Sequence, residues 1–264
     1  MRTDISNLTR NKYWVAPKTD GIRMFMLFSY VDDDDYVVFI DRAFNMHRVS
    51  VTVPAETHSG TLLDGEWVKN ADGSVTYTVF DVISIHGFCK KNENHSTRMA
   101  EIVRLLHSFR NIPDGLHIHV KRWYELESTN TEKLLSDAKR KGVPCDGLIF
   151  APEHGSALRP GPQRDVYKWK SAKEHTVDMF IKNKVLYVES AGTPVVSTEL
   201  GVELGDTRDL PDNCVVECQL TKASGKWQAR IIKIRPDKTH PNDVRVARLT
   251  MQNIEENIQL DEFL

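Results

Sequence analysis

The chain has 264 residues, of which 40% are hydrophobic and 27% charged. This is the profile of a globular chain with apolar mass for one large domain or two modest ones. Lys and Arg number 35 against 37 Asp and Glu, a net charge of −2, which excludes wholesale coating of a polyanion but permits a local basic cleft. No apolar run approaches the roughly 18–20 residues that span a bilayer, so no membrane partner is expected. The N-terminal MRTDISNLTRNKYW lacks the apolar stretch of a secretory signal. Four cysteines make no disulfide scaffold, and a reducing, intracellular compartment is the expectation.

Three strands are predicted first, YWVAPK, IRMFMLFSYV and DYVVFIDRAF, short runs rich in β-branched and aromatic residues. Asp32-Asp33-Asp34-Asp35 before the third reads as a hairpin loop held in water by mutual repulsion, rather than as a metal site. TLLDGEWVKN and VTYTVFDVISIHG form a second group around the Asp72-Gly73 turn, a hairpin signal. A helix is predicted from Ser96 to Phe109, with Met99, Ile102, Val103, Leu106 and Phe109 spaced by three and four; no cap is assigned to it. A strand at 117–120 follows. A second helix runs from Thr129 to Lys141, stopped by Gly142. Two further strands run from Asp146 to Ala151 and from Asp165 to Lys170. Beyond Thr176 the texture changes to short strands between Gly, Pro and Asp turns: TVDMFIK, VLYVES, VVSTEL, CVVECQLT and WQARIIKI. That pattern suits a small barrel or sandwich. Residues 242–260 resume a helical pattern through Val246, Leu249, Ile254 and Ile258. A boundary near Ser171 divides the chain into domains of residues 1–171 and 172–264, neither with a strong charge excess.

Several short patterns could carry chemistry. Lys18-Thr19-Asp20-Gly21-Ile22-Arg23 places a lysine at a strand end, before a tight turn and an arginine. A lysine amine is nucleophilic only when neutral, about one in 2,500 at pH 7 for an unperturbed group, and nearby cations or a metal raise that fraction. Alone, the pattern equally describes a surface lysine before a turn. Asp64-Gly65-Glu66 sets a carboxylate beside a glycine that a ligand could approach closely. Phe80 reads as a core residue. Asp81, in the middle of an apolar strand, needs a partner or a metal. Asp146-Gly147-Leu148 repeats the acid–glycine–apolar layout. Lys168 and Lys170 flank Trp169 and share one strand face, where two like charges ask for an anion such as phosphate between them. Trp169 faces the other way and, with Trp67 and Trp227, is read as core. Arg235-Pro236-Asp237-Lys238 is followed by Pro241-Asn242.

Taken in order, K-T-D-G-I-R, D-G-E, F-D, D-G-L-I-F, K-W-K and R-P-D-K resemble the covalent nucleotidyltransferase superfamily, which contains mRNA capping guanylyltransferases and ATP- or NAD-dependent polynucleotide ligases. Each motif is weak alone, but the ordered set spreads over residues 18–242. Arg235-Pro236-Asp237-Lys238-Thr239-His240-Pro241-Asn242 resembles the R-x-D-K-x-x-P-N element of the capping branch. Thr176-Val177-Asp178 resembles its T-V-D-F segment, with Met179 inserted before Phe180.

The resemblance implies an α+β fold: a nucleotidyltransferase domain of antiparallel sheets with flanking helices, then a small OB-fold-like β-barrel domain and a C-terminal helix. It implies that Lys18 attacks the α-phosphate of GTP, forming lysyl-GMP and releasing pyrophosphate, and that the 5′-diphosphate end of RNA then takes the GMP. Both steps are in-line phosphoryl transfers, governed by positioning and charge neutralisation. Arg23 and Arg42 would bind the ribose side of the nucleotide, Glu66 would accept from a ribose hydroxyl, and Phe80 would stack on guanine. Asp146 would help hold Mg2+ or Mn2+. Lys168 and Lys170 would contact the α-phosphate. Asp178, Arg235, Asp237 and Lys238 would orient the leaving pyrophosphate from a second domain that closes about a hinge at residues 171–176.

An RNA triphosphatase and a cap methyltransferase would come from other chains or domains. Compact enzymes of this kind are common among large DNA viruses. Only seventeen residues precede Lys18, fewer than is usual in the family, so an element covering the base is expected to be missing or supplied elsewhere. Cys214 and Cys218 read as buried thiols rather than zinc ligands, and His117 with His119 lacks a third ligand at metal spacing. A polynucleotide ligase using lysyl-AMP, and a nucleotide- or RNA-binding module without turnover, stand as alternatives.

Overall fold

The computed structural model describes residues 2–32, 34–154, 161, 163–205 and 211–263. They fall into two compact units, residues 6–169 with Phe263, and residues 1–5 with 170–262. Among the described residues no helix is long and apolar enough to cross a membrane.

The larger unit follows a short helix α1 (Arg2–Arg10). Its strands are β1 (Tyr13–Thr19), β2 (Ile22–Val31), β3 (Asp34–Ile40), β4 (Met46–Arg48), β5 (Thr61–Lys69), β6 (Val75–Ile85), β7 (Phe88–Cys89), β8 (Leu116–Val120), β9 (Tyr124–Glu125), β10 (Cys145–Pro152) and β11 (Tyr167–Trp169). Two helices join them, α2 (His95–Leu106) and α3 (Thr131–Arg140). One sheet has the order β4-β3-β2-β5-β6-β7, with β8 added parallel to β6; a second has the order β11-β10-β1-β9. Strand alternation sends Met26, Phe28, Val37, Phe39, Leu63, Tyr77 and Val79 to one face, where Ile102 and Leu105 of α2 cover them. Gly65 is fixed by this core. A Cβ there would lie 2.5 Å from the Tyr77 ring, and Tyr77 Oη donates to the Met24 carbonyl at 2.9 Å. The close approach expected at Gly65 is therefore that of Tyr77 and not of a ligand.

Asp81 has its partner. Arg98 of α2 is wholly buried and donates to it through Nε at 2.7 Å and Nη2 at 3.0 Å, while Nη1 donates to the Glu93 carbonyl. The start of α2 is capped from afar: Glu153 accepts from Ser96 through both backbone N–H and hydroxyl, supplying the orphan donors of a first turn whose Asn94 gives no side-chain cap.

The smaller unit contains β12 (Thr176–Lys182), β13 (Val185–Ser190), β14 (Thr193–Val196), β15 (Val202–Leu204), β16 (Cys214–Ala223), β17 (Lys226–Ile234) and the C-terminal helix α4 (Val244–Glu256). Its sheet order is β14-β13-β12-β16-β17-β15, antiparallel except for β15 with β17. Val177, Met179, Val188, Cys218 and Trp227 pack in its core with Ala247 of α4. This is the small β unit with a terminal helix that the sequence predicts.

Several local expectations are corrected. The acidic run is not all loop: Val31 pairs with Asp34, so Asp34 and Asp35 begin β3, with Asp32 before them at φ 52° and Asp33 outside the described residues. Residues 41–44 form a turn, not the end of a strand. Ser197–Leu200 is a 3-10 turn closed by Gly201 at φ 72°. Helix α1 was not foreseen, nor were the short strands β4, β7, β9 and β15. Lys170 lies past the end of β11, so one strand face does not carry both lysines.

Two predictions follow from the buried groups. Arg98→Met leaves Asp81 an unpaired buried carboxylate and should cost about 3–5 kcal/mol, read from urea unfolding. His95 is 1% exposed, with neither ring nitrogen hydrogen-bonded, between the rings of Trp14 and Trp123. Burial pushes its pKa down to about 4. The unfolded chain therefore binds a proton between pH 6.5 and 4 that the folded chain refuses, and stability falls as pH drops through that window. His95→Leu should flatten this acid slope; an unchanged slope would assign it to other groups.

Candidate active site

The site grows from two breaks in β-ladders. β1 and β10 pair regularly from Tyr13–Pro152 to Pro17–Leu148, and pairing resumes only at Thr19–Cys145. Lys18, Asp146 and Gly147 occupy the break. A bulge re-aims side chains, and here Lys18 Nζ donates to Asp146 Oδ1 at 2.6 Å, with 20% and 15% of the two side chains exposed. The second break lies in β5–β6, between Asp64–Asp81 and Gly65–Val79, and leaves Phe80 as the extra residue. Phe80 is half-buried, so the core reading is only partly right; the Arg23 guanidinium stands 5.8 Å from its ring centroid.

Arg23 on β2 lies opposite Glu66 on β5. Its guanidinium grips buried Asp64 with two hydrogen bonds, Nε to Oδ1 at 2.8 Å and Nη2 to Oδ2. Burial lifts the Asp64 carboxyl against the pull of Arg23. Burial also lifts the Glu66 carboxyl, opposed by Lys121, Lys18 and the Gly21 N–H. Gly21 is tied to this spot, because a Cβ would meet the Trp67 carbonyl oxygen at 2.6 Å. Lys168 is open to solvent but crowded from beneath. Desolvation first, then Lys18, Arg23 and Arg42, hold its ammonium below the ordinary lysine range. Arg42 acts on Asp64 as well. Lys18, Arg23, Arg42, Glu66, Phe80, Asp146 and Lys168 are thus one neighbourhood of the larger unit, and Lys170 falls in the other unit.

Sequence reasoning missed Lys121. It sits just past β8, 8% exposed, with Nζ donating to Thr19 Oγ1 at 2.6 Å. Burial brings its pKa down to about 8, with Lys18 pushing the same way and Glu66 opposing. Thr19, Lys121, His119, Tyr124 and Lys133 line a cavity of about 610 Å³ whose walls include none of Lys18, Arg23, Arg42, Glu66, Phe80, Asp146 and Lys168.

The nominated residues of the smaller unit form a second cluster. Buried Asp178 accepts from Arg235 Nη1 at 3.0 Å and from Lys238 Nζ at 2.6 Å. Arg235 also holds Asp237 by two hydrogen bonds of 2.9 and 2.8 Å, which keep the Asp237 carboxyl down at about 2. Asn242 closes the loop: its Oδ1 accepts from Asp178 N and its own N–H donates to the Asp178 carbonyl, both at 2.8 Å.

Among the described residues no group of three or more His, Cys, Asp and Glu is placed to hold a metal ion. Asp146 is a single carboxylate at the centre of the first cluster. That donor set fits a hard cation that keeps its waters and takes phosphate oxygens, and does not fit an all-protein cage. Cys218 is buried and its thiol is pushed up to about 12, while Cys214 is half-buried. His117 and His119 stack at 6.2 Å on an exposed strand face.

This architecture is that of a nucleotidyltransferase. A mycobacterial DNA ligase D complexed with ATP and MES has the same fold, with a TM-score of 0.51 at 14% identity, covering 86% of this chain and 90% of that one. The family described as mRNA capping enzyme, catalytic domain, matches residues 1–172, and its C-terminal domain matches residues 157–264. The mRNA-capping enzyme subunit alpha of Saccharomyces cerevisiae is 22% identical over 97% of this chain and 73% of its own length. The mRNA-capping enzyme of Danio rerio is 26% identical over 96% of this chain and 46% of its own, so the chain spans less than half of the fish protein. The chain belongs to the mRNA capping enzyme family. Within that family it is the guanylyltransferase, and its nucleotide is GTP.

Lys121 generates a prediction. Its folded-state pKa, about 8 against the ordinary 10.5, means that the folded chain binds fewer protons than the unfolded one between those values. Its burial penalty is therefore full below pH 8 and fades toward pH 10.5, about 3 kcal/mol at most. Lys121→Met should raise the melting temperature at pH 7 despite stranding the Thr19 hydroxyl, worth about 1 kcal/mol, and the gain should vanish by pH 10. Thermal melts at the two pH values decide it; equal losses at both would refute the assignment.

Proposed function

We propose that guanylyl transfer runs through Lys18. The observation that carries this reading is the Lys18–Asp146 contact inside a shared ladder break, with Lys168 within electrostatic reach of Lys18, Arg23 and Arg42 together. In the first step the neutral Lys18 amine attacks the α-phosphorus of GTP. A P–N bond forms, the bond to the β-phosphate oxygen breaks, and pyrophosphate leaves. In the second step an oxygen of the 5′-diphosphate end of RNA attacks the same phosphorus, the P–N bond breaks, and Lys18 regains its proton with the GpppN end complete.

As an ammonium held by Asp146, Lys18 cannot attack; it must shed its proton and leave that contact. Mg2+ or Mn2+ bound at Asp146 would neutralise phosphate charge during transfer. Lys168, with Lys170, serves the α-phosphate. Arg23 and Arg42 serve the ribose side, with Arg23 pre-aligned by Asp64, and Glu66 accepts from a ribose hydroxyl. Phe80, raised by its bulge, stacks on guanine. Asp178, Arg235, Asp237 and Lys238 serve the leaving pyrophosphate, whose oxygens would take the place of the internal carboxylates on Arg235 and Lys238. The triphosphatase and methyltransferase of a complete pathway come from other chains or domains; a relative named as a subunit, alpha, supports that division.

Incubation with GTP or ATP labelled at the α-phosphate, then a denaturing gel, tests the reading. Label is expected from GTP only, stable to base, lost in acid, and reduced at least 1,000-fold (roughly) in Lys18→Ala, since the nucleophile is gone. Label from ATP alone would make the chain a ligase. No label from either nucleotide would leave a binding module.

A further inference from the structure

The turn between β3 and β4 presents Arg42 to the nucleotide site, but that does not explain how it holds Phe44. Residues 41–45 are held rigid by one carboxylate. Asp41 Oδ1 accepts from the backbone of Ala43 at 2.8 Å and of Asn45 at 2.9 Å, and Oδ2 accepts from Asn45 Nδ2 at 2.8 Å. Two backbone bonds between Asp41 and Asn45 or Phe44, both 3.1 Å, finish the frame. The frame holds Phe44 at φ 62°, a conformation costly for a bulky residue. It also leaves Phe44 80% exposed, with Met46 next along the edge at 64%. Strain and apolar exposure together, in a turn braced against movement, are not what a passive connection requires.

Register shows where this tip stands. Ile40 pairs with Phe25 and with Met46, and Val38 with Arg48. Phe25 pairs with Asp64, and Arg23 with Glu66. By strand alternation Met46, Arg48, Tyr36, Val38, Ile40 and Phe25 share the sheet face that carries Arg23, Asp64 and Glu66. The tip lies at the end of the sheet where Arg23 stands, two residues from Arg42. From there edge strand β4 leads away, every residue exposed, to Arg48, whose guanidinium lies 4.5 Å from the Tyr36 ring centroid. Residues 42–48, Arg-Ala-Phe-Asn-Met-His-Arg, contain two arginines and one histidine and no acid.

We propose that this edge is the track for the acceptor RNA: Phe44 stacks on the base next to the diphosphate end, and Arg48, flattened on Tyr36, meets the backbone farther along. The inference rests on the guanylyl-transfer reading and names the surface that receives its second substrate. Aromatic platforms beside cations are how single-stranded nucleic acid is held without reading sequence. A peptide strand adding to the free edge of β4 would need its backbone alone and would leave the aromatic tip and the basic run without a role.

The test separates the two steps. Phe44→Ala, Phe44→Tyr and Arg48→Gln are assayed for lysyl-GMP formation, and the isolated adducts are then given diphosphate-ended RNA. Adduct formation should stay within about twofold of wild type. The RNA KM should rise about tenfold in Phe44→Ala, within the roughly 5- to 150-fold that loss of one stacked base implies, and return in Phe44→Tyr. Arg48→Gln should reduce the dependence of RNA binding on salt. Binding of fluorescein-labelled single-stranded RNA to unmodified protein, by anisotropy, is measured alongside. If no adduct forms even in wild type but RNA binding falls in Phe44→Ala, the track survives and the transfer reading does not. Wild-type RNA KM and binding in both Phe44→Ala and Arg48→Gln would overturn the track and leave the edge to a peptide strand.

Discussion

A triphosphate brings several negative charges to one place, and the larger unit gathers cations to meet it. Lys168 stands within reach of Lys18, Arg23 and Arg42, and this gathered positive charge favours an incoming triphosphate. Left alone the cations would repel one another and weaken the fold. Buried and half-buried acids settle the balance: Asp64 fixes Arg23, Asp146 holds Lys18, and Glu66 attracts Lys121 and Lys18. The carboxylates are themselves partly buried, so the cluster is costly on both sides and stable only as a set.

Irregular pairing is the device that makes room for this set. A regular β1–β10 ladder would hold Lys18 and Asp146 to the fixed alternation of the pleat. The skipped pairing lets them meet, as the extra residue in β6 lets Phe80 rise beside Arg23. Beneath the breaks the sheet is conventional and tightly filled. Tyr77 against Gly65 and Arg98 against Asp81 are rigid supports that hold the irregular strands in place.

Much of this was legible in the residues. The ordered short motifs implied the nucleotidyltransferase fold through their resemblance to that superfamily, and the long strands showed in their alternation. What could not be read was whatever depends on long-range packing. Lys121 in HIHVKRWYE looks like one more surface cation, and only the packing around Thr19 buries it. Arg98 sits on a helix whose periodicity marks it as polar, yet it is the anchor of Asp81. The two- and three-residue strands carry too few side chains to show a period, and the acidic run hid the start of β3 because charge says nothing about register. Among the site residues, Lys168 and Lys170 were paired by parity over a strand that ends at Trp169, one residue too soon.

The larger unit does not finish where its strands do. Phe263, 7% exposed, lays its ring 4.9 Å from that of Phe150, itself 1% exposed. In the connectivity of the chain, residues 170–262 are thus an insertion within the larger unit. A fragment cut after Trp169 would keep every strand of the larger unit and still lose a wall of its core, uncovering Phe150 to water. Dissection of this protein into halves would measure a damaged half, and a fair cut would have to return Phe263 through a linker.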